Sequence, residues 1–313
     1  MRLARPEFCT GTAIVCTIGA LGAGAEDTSA LALAYAMFLV LAVHLATQYV
    51  SEYFDYEADC ANHSASGAVT GGSRVLQEGH LPRHAALVAA GWVAALVLAA
   101  QAVIVVATPA GEGRYRSMVP LAFAGMLLGY GYTAPPLRLQ YRAMGELTIA
   151  LVVNVLVPCT GYASQSGHAC WHAWTDSPQL AVLITLMFCQ QTVRALIMNL
   201  PDIQADVAVG KITLASRLGL RVVAWLYTGV QVGVLCAAAA AACLQLLPLH
   251  LAGVVAAAAP LALYVGLRLL AMGRVWDKSG RGSDLPVLAS IHMDGSMLLL
   301  LVSMAAHRAI SQL

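Results

Sequence analysis

The sequence predicts an all-α integral membrane protein, and three observations carry that prediction. Of the 313 residues, 59% are hydrophobic and only 11% are charged, and the mean hydropathy is +0.74. A soluble domain of this size has too little interior to bury so much apolar surface. The apolar residues also form runs of about 20, the length that a helix needs to cross the roughly 30 Å core of a bilayer. An open sheet would leave backbone groups unpaired in lipid, and the runs are too long for barrel strands, so helices are expected throughout.

Nine such runs follow one another along the chain. Arg2 and Arg5 precede the first run, as in a signal peptide, but no small-residue cleavage site follows, so we expect a first membrane helix there. No soluble domain boundary interrupts the runs, which predicts a single transmembrane domain over 1–313. The predicted transmembrane helices lie near residues 9–25, 29–50, 84–107, 117–136, 145–163, 178–200, 221–246, 248–272 and 285–308.

The positive charges predict the orientation of these helices. Loops on the cytoplasmic side retain Lys and Arg. With the N-terminus inside, twelve of the 17 basic residues fall on the cytoplasmic side, three fall on the other side, and Arg194 and Arg268 lie within helices. We therefore expect a cytoplasmic N-terminus and a site on the cytoplasmic side. The membrane expected is the bacterial plasma membrane. The formal net charge of +1 gives no basic excess, so no nucleic-acid partner is expected.

The two longest cytoplasmic connections, 51–83 and 201–220, resemble each other. Each carries two aspartates four residues apart, followed by glycine and a basic residue. This similarity predicts two pseudo-equivalent halves, roughly 1–163 and 164–313. The residues concerned are Asp55, Asp59, Gly71, Gly72 and Arg74 in the first connection, and Asp202, Asp206, Gly210 and Lys211 in the second.

The acidic pairs need a cationic partner. Residues four apart share one face of a helix, and at a membrane edge each ionised carboxylate costs on the order of 1 to 3 kcal/mol. Carboxylate oxygens suit Mg²⁺, which binds through one or two carboxylates together with substrate phosphates. Two facing pairs therefore predict two Mg²⁺ ions that hold one diphosphate at the mouth of an apolar cavity, as a prenyl diphosphate requires. The basic residues expected to neutralise the remaining phosphate oxygens are Arg74, Arg138, Arg142 and Lys211.

A simpler explanation exists for either pair alone, since acids at helix ends are usually solvated loop residues. Two pairs at equivalent places, each with basic neighbours, favour the metal and diphosphate site.

The same segments resemble the UbiA superfamily of intramembrane prenyltransferases, over nearly the whole chain. The first family motif appears as SEYFDYEAD at 51–59, and the second as NLPDIQAD at 199–206, continuing into VGKITLASRLG at 209–219. Two further stretches, GGSRVLQEG at 71–79 and YTAPPLRLQYR at 132–142, are similar to the branch that prenylates dihydroxynaphthoate in menaquinone biosynthesis.

This resemblance implies a nine-helix bundle around a central cavity, capped by the cytoplasmic loops between helices 2 and 3 and between helices 6 and 7. It also implies Mg²⁺-dependent transfer of a prenyl group from a prenyl diphosphate to an aromatic acceptor through an allylic cation. The metal ligands implied, directly or through water, are Asp55, Asp59, Asp202 and Asp206. The diphosphate would be held by Arg74, Arg138 and Lys211, with Ser51 and Asn199 beside them and the Tyr132 hydroxyl within reach.

Four residues depart from the family pattern. Ser51 and Glu52 replace an asparagine and an aspartate of the first motif, Gln140 replaces a lysine, and Asn154 stands where the naphthoate branch has glycine. All lie near the expected cavity, so the acceptor stays open. A second hypothesis is a terpene cyclase of the same superfamily, which would ionise a prenyl diphosphate and close the chain on itself without an acceptor.

Ionisable residues near the middle of the membrane are typical of a transporter, which makes a third hypothesis. Only Arg194, Glu146 and His44 qualify, whereas the acids cluster at one rim, so this hypothesis is the least favoured. We expect Arg194 to reach the rim or to pair with a carboxylate. Glu146 is expected to pair with Arg142, four residues earlier, rather than to bind an acceptor.

Three histidines invite a functional interpretation. His292 is expected to be a packing residue of the last helix. His168 and His172 have the spacing of two metal ligands, but the sequence indicates no third ligand, so no zinc site is predicted. The eight cysteines are scattered through apolar runs and are expected to be small core residues.

Overall fold

The computed structural model describes residues 2–25, 28–62, 72–109, 113–272 and 284–311. The predicted all-α class is confirmed, since strand pairing in these ranges is limited to one isolated bridge between Arg142 and Ile212. The α-helices are α1 (Pro6–Gly22), α2 (Ala30–Phe54), α3 (Tyr56–Ala61), α4 (Arg83–Ala107), α5 (Gly113–Arg116), α6 (Met118–Thr133), α7 (Gly145–Leu151), α8 (Val157–Ser166), α9 (Ala173–Asp176), α10 (Pro178–Asn199), α11 (Ile203–Ala208), α12 (Leu214–Cys243), α13 (Leu249–Met272) and α14 (Leu285–Ser311).

A helix lies at each of the nine predicted positions, because runs of apolar residues are the strongest signal in this sequence. One π-helical turn, Val152–Leu156, joins α7 and α8 into a single span, Gly145–Ser166. Seven helices of the described ranges are long and apolar enough to cross a membrane. The other two, α1 with 17 residues and α6 with 16, are shorter. The count of nine crossings therefore stays a prediction.

The outer surface of the bundle is apolar. Large side chains such as Trp92 and Val106 of α4 and Trp225 of α12 point outwards and are 74%, 87% and 62% exposed. So large an exposed apolar surface is stable against lipid but not against water. The protein is thus embedded in a membrane.

Close helix packing sets the shape of the interior. α1 and α8 touch through glycines, since a Cβ atom added at Gly19 would overlap the carbonyl oxygen of Pro158, and one added at Gly161 would overlap that of Cys16. Small residues let membrane helices approach in this way. α1 is thereby held beside the interior cavity described below.

Each acidic motif lies at a break between a long helix and a short one. α2 ends at Phe54, Asp55 occupies the break, and α3 carries Asp59. α10 ends at Asn199, and Asp202 caps α11, which carries Asp206. The backbone N–H of Asp59 donates to the carbonyl of Asp55 over 2.9 Å, and that of Asp206 donates to the carbonyl of Asp202 over 2.8 Å. These hydrogen bonds preserve the expected helical spacing of each pair. α3 packs against α11, so the two motifs meet.

Some sequence-based predictions concern residues that lie outside the described ranges, namely Gly71, Arg274, Lys278 and Arg281. The cytoplasmic orientation of the N-terminus and the division into two pseudo-equivalent halves also stay predictions.

Candidate active site

The two acidic motifs converge at one end of the bundle. The Asn62 amide, at the end of α3, donates a hydrogen bond of 2.7 Å to Asp202 at the start of α11. Asp55, Asp59 and Asp202 all line one cavity, and Asp206 is buried beside it. The structure therefore brings together the four carboxylates that the sequence predicts as metal ligands.

Asp55 is held by residues from the segment after α6. The Tyr141 hydroxyl donates to Asp55 Oδ1 over 2.9 Å. The Gln140 amide lies between Asp55 and Lys211, and it satisfies both when its nitrogen faces Asp55 Oδ2 (3.3 Å) and its oxygen faces the Lys211 ammonium (3.0 Å). Gln140 replaces a lysine of the family pattern, and here it couples a carboxylate to a different lysine.

Lys211 links the two motifs. Its ammonium lies 3.3 Å from Asp206 Oδ1 and 3.7 Å from Asp55 Oδ1. The bridge between Arg142 and Ile212 holds the segment after α6 against the segment after α11, which places Tyr141 and Gln140 beside this lysine. Burial by itself lowers the pKa of Lys211, but the Asp55 and Asp206 carboxylates raise it above its usual range, so Lys211 carries a full charge.

Asp59 occupies the most crowded part of the site. Its Oδ2 accepts a 3.3 Å hydrogen bond from the Gln77 amide. Gly72 has a left-handed backbone with φ of 70°, and a Cβ atom added there would overlap Asp59 Oδ2. Burial, followed by repulsion from Asp55 and Glu52, raises the pKa of Asp59 to about 8.

The second motif is also short of positive charge. Burial raises the pKa of Asp202 above its usual range, and it raises the pKa of Asp206 to about 6 despite the neighbouring Lys211. Asp206 Oδ2 is buried and has no hydrogen-bond partner. A buried carboxylate oxygen without a partner is costly, so the cluster is suited to take up a further cation.

Glu52 is a fifth acid that sequence reasoning treated only as a departure from the family motif. It is buried near the end of α2 and accepts hydrogen bonds from the backbone and hydroxyl of Ser73, at 2.7 Å and 2.8 Å. These bonds fasten the segment after the acidic motif onto the rim. In the sequence, only its position directly after Ser51, within the first acidic motif, indicates that Glu52 lies at the site.

Arg74 and Arg138, both predicted to hold diphosphate, contact protein groups in this structure. The Arg74 guanidinium donates to the backbone carbonyl of Asp59 over 2.8 Å. That of Arg138 stacks on the Tyr141 ring, 3.9 Å from its centroid. Neither lines the cavity, so each would have to turn to reach a diphosphate there. Ser51, Tyr132, Asn199 and Lys211 do line it.

The expected ion pair between Glu146 and Arg142 is wrong. Residues four apart meet only on a continuous helix, and here Ala143 has a left-handed backbone with φ of 60° and α7 begins only at Gly145. Glu146 is instead buried, and it accepts bonds from the Asn199 amide (2.9 Å) and from the backbone N–H groups of Leu214 and Ala215 (3.2 Å and 3.1 Å). It thus holds α10 and the start of α12 in place behind the second motif.

Below the acidic rim lies a cavity of about 310 Å³. Its apolar wall comes mainly from α2, α6 and the π-helical turn, and includes Leu39, Val40, Leu121, Val153 and Leu156. An acidic mouth above an apolar wall is the arrangement that the sequence predicts for a lipid-like diphosphate.

The donor set at the mouth fits Mg²⁺. Five carboxylates, from Glu52, Asp55, Asp59, Asp202 and Asp206, face two cations, Lys211 and Arg5, and Asp206 Oδ2 has no hydrogen-bond partner. Hard oxygen ligands with excess negative charge are what this ion requires.

The sequence and the fold both match proteins of one known family. The sequence model of the UbiA prenyltransferase family matches residues 12–279. A protein of Dictyostelium discoideum, UbiA prenyltransferase domain-containing protein 1, is 33% identical over 113 residues, which are 36% of this chain and 32% of the relative. The 2-carboxy-1,4-naphthoquinone phytyltransferase of Synechocystis sp. is 30% identical over 129 residues, 38% of this chain and 39% of the relative. The alignments thus span less than two fifths of either relative.

Solved structures share the fold at low sequence identity. A UbiA homolog from Archaeoglobus fulgidus bound to DMAPP and Mg²⁺ superposes with a TM-score of 0.62 at 16% identity, covering 96% of this chain and 98% of that one. The agreement extends over essentially the entire chain, so it concerns the whole bundle and not a single helix pair.

Proposed function

Because the family match extends over residues 12–279, the chain belongs to the UbiA prenyltransferase family, and we propose that it transfers a prenyl group from a prenyl diphosphate to an aromatic acceptor. One observation carries this proposal: the carboxylates of both acidic motifs meet at the mouth of an apolar cavity. The diphosphate would lie at the mouth, and the prenyl tail would lie along the apolar wall.

Asp55, Asp59, Asp202 and Asp206 would hold Mg²⁺, which supplies positive charge to the departing diphosphate. We propose two ions, one for each motif. Lys211 already carries its charge between the motifs, so it would stabilise the diphosphate without reorganisation as negative charge develops. The Tyr132 hydroxyl, which lines the cavity, would donate a hydrogen bond to the same group.

The positioning of these groups depends on residues behind them. Tyr141 and Gln140 fix Asp55, and Glu146 orients Asn199 beside the second motif. The apolar wall would exclude water from the allylic cation until a ring carbon of the acceptor attacks it. Arg74 and Arg138 would join the diphosphate only after leaving their present partners.

We propose a dihydroxynaphthoate-like acceptor because the stretches at 71–79 and 132–142 resemble the naphthoate branch of the family. The naphthoquinone phytyltransferase among the relatives supports this choice of acceptor. The location that we propose is the bacterial plasma membrane. The distribution of Lys and Arg supports a site on the cytoplasmic side.

The test is a product analysis. Purified protein in lipid would be incubated with Mg²⁺ and geranyl, farnesyl or geranylgeranyl diphosphate, with and without dihydroxynaphthoate, and the organic extract examined by mass spectrometry. A product with the mass of the prenylated acceptor, formed only when the acceptor is present, is expected. A hydrocarbon or terpene alcohol formed equally well without acceptor would make the protein a terpene cyclase instead.

A further inference from the structure

The cavity has a second polar pole that the diphosphate site does not use. Arg194 of α10 and Asp294 of α14 both line it, and Arg194 Nη2 lies 3.9 Å from Asp294 Oδ2. Arg194 lies five residues before Asn199, so the pair is roughly 8 Å along the helix axis from the rim. The sequence-based expectation that Arg194 pairs with a carboxylate is thereby confirmed.

The two members of the pair differ in how well they are satisfied. Arg194 has a side chain only 12% exposed, and its guanidinium also donates to the Ser290 hydroxyl (3.0 Å) and to the Gln191 amide oxygen (3.3 Å). The Asp294 side chain is 52% exposed. Gly11 of α1 faces it without crowding, since a Cβ atom added there would come no closer than 3.6 Å to Asp294 Oδ1.

A half-exposed carboxylate within the membrane is expensive unless it faces a polar partner or a cavity. Asp294 faces the cavity, yet a prenyl tail offers it nothing to bind. The group is therefore suited to a second substrate, one that carries a hydrogen-bond donor.

We propose that Asp294, held in place by Arg194, binds a hydroxyl group of the aromatic acceptor and takes up the proton that the reaction displaces. This inference rests on the proposed prenyl transfer. In that reaction the bond between the prenyl carbon and the diphosphate oxygen breaks with its electron pair on the diphosphate. A ring carbon supplies the pair for the new carbon–carbon bond, and the acceptor loses one proton, which goes to Asp294 and then to solvent.

The experiment compares Asp294→Asn with Asp284→Asn, a matched control. Asp284 also pairs with an arginine, Arg268 at 2.9 Å, and its side chain is 54% exposed, but it does not line the cavity. Asp294→Asn is expected to lower kcat for acceptor prenylation by about 100-fold or more, the range for loss of a general base, while Mg²⁺-dependent binding of prenyl diphosphate stays within about twofold. Asp284→Asn is expected to leave both unchanged, and Asp294→Glu, which keeps a carboxylate, is expected to recover part of the rate.

Two results would overturn the inference. One is that Asp294→Asn prenylates the acceptor at the wild-type rate. The other is that Asp294→Asn loses prenyl diphosphate binding as much as it loses rate, which would make the pair of Arg194 and Asp294 structural. Failure of the wild-type protein to prenylate any acceptor would instead overturn the proposed function, so the two failures are distinguishable.

A separate cluster lies at the other end of α10. His168, His172 and Asp176 offer three ligand atoms within 4.8 Å of one another, and all three residues are exposed. α10 has 22 residues, which places this cluster roughly 33 Å from the acidic rim. Asp176 supplies a third possible ligand atom, which the histidine spacing alone does not reveal.

The geometry of this cluster is close to that of a metal site. His168 Nδ1 and His172 Nδ1 lie 3.2 Å and 3.9 Å from Asp176 Oδ2. Ligands at about 2.0 to 2.1 Å from a tetrahedral ion are about 3.3 Å apart. The Tyr162 hydroxyl (3.1 Å) and the Thr175 hydroxyl (2.8 Å) donate to the two oxygens of Asp176 and fix its orientation.

We infer that His168, His172 and Asp176 bind a transition-metal ion, with Zn²⁺ as the best match to two imidazoles and a carboxylate. The ion would fasten the segment between α8 and α10. It requires no change in the substrate cavity, so this inference is independent of the proposed function.

The test is calorimetric titration of ZnCl₂ into the protein, free of any histidine tag and in saturating MgCl₂ so that the acidic rim is already occupied. Wild-type protein is expected to bind one Zn²⁺ at this cluster. His172→Ala removes a direct ligand and is expected to weaken the affinity by more than the roughly 10- to 100-fold that loss of an outer-shell partner costs. His80→Ala removes an exposed histidine paired with Glu78 outside the cluster and serves as the control. Absence of zinc binding in the wild type, or equal binding by His172→Ala, would overturn the inference.

Discussion

Replacing Gly72 with alanine should disable the site through a single methyl group. Gly72 has φ of 70°, and an added Cβ atom would overlap Asp59 Oδ2. Ordinary contact between these atoms needs about 3.5 Å, so the carboxylate must shift by on the order of 1 Å. A 1 Å misplacement of a catalytic group costs about 100-fold in rate, or about 2.7 kcal/mol.

Gly79 provides the matched control. Its backbone is left-handed as well, with φ of 74°, but a Cβ atom added there meets nothing within 4 Å. Gly72→Ala and Gly79→Ala therefore share a backbone strain of about 1 kcal/mol, and only Gly72→Ala displaces Asp59. Diphosphate release from a prenyl diphosphate at saturating Mg²⁺ would measure the difference. Equal rates for the two variants would refute the assignment of Asp59 to the metal site.

Three further predictions concern the same rim. The pKa values of Asp59 (about 8) and Asp206 (about 6) are raised, so protons compete with Mg²⁺ at these carboxylates below those pH values. The Mg²⁺ affinity measured by calorimetry should therefore rise between pH 6 and 8, by up to about tenfold per pH unit. An affinity that does not change with pH would contradict this. Tyr141→Phe removes a 2.9 Å bond to a charged carboxylate and should lower the rate of diphosphate release by about tenfold to 100-fold, whereas an unchanged rate would exclude Tyr141 from positioning Asp55. Glu146→Gln turns an amide N–H₂ group towards the backbone N–H groups of Leu214 and Ala215, so that donors face donors. This should destabilise the protein by about 1 to 3 kcal/mol, seen as a lower Tm in detergent. An unchanged Tm would contradict this.

The helices and the acidic motifs were predictable from the sequence because both signals are local. Apolar runs mark the membrane helices whatever their neighbours, and the four-residue spacing of Asp55 and Asp59 survives the break between α2 and α3. Local spacing was misleading at Glu146, where the left-handed backbone of Ala143 separates two residues that a continuous helix would have brought together.

Contacts between distant segments could not be predicted in this way. Tyr141 and Gln140 reach Asp55 and Lys211 because one backbone bridge joins the segment after α6 to the segment after α11. The spacing of these residues in the sequence does not predict this bridge. The exposed carboxylate of Asp294 is likewise visible only once α10 and α14 enclose the cavity.

The central claim is that both acidic motifs act together on one diphosphate, and it is tested most directly by Mg²⁺-dependent diphosphate release in variants of each motif. Asp55→Asn and Asp202→Asn should each lower the rate by about 100-fold or more, the scale for loss of one electrostatic contact to developing charge, while the elution volume and Tm stay those of the wild type. Glu57→Gln changes an exposed acid of the first motif that pairs with Arg83 outside the cavity, and it should retain the wild-type rate. Full turnover by either aspartate variant would contradict the account.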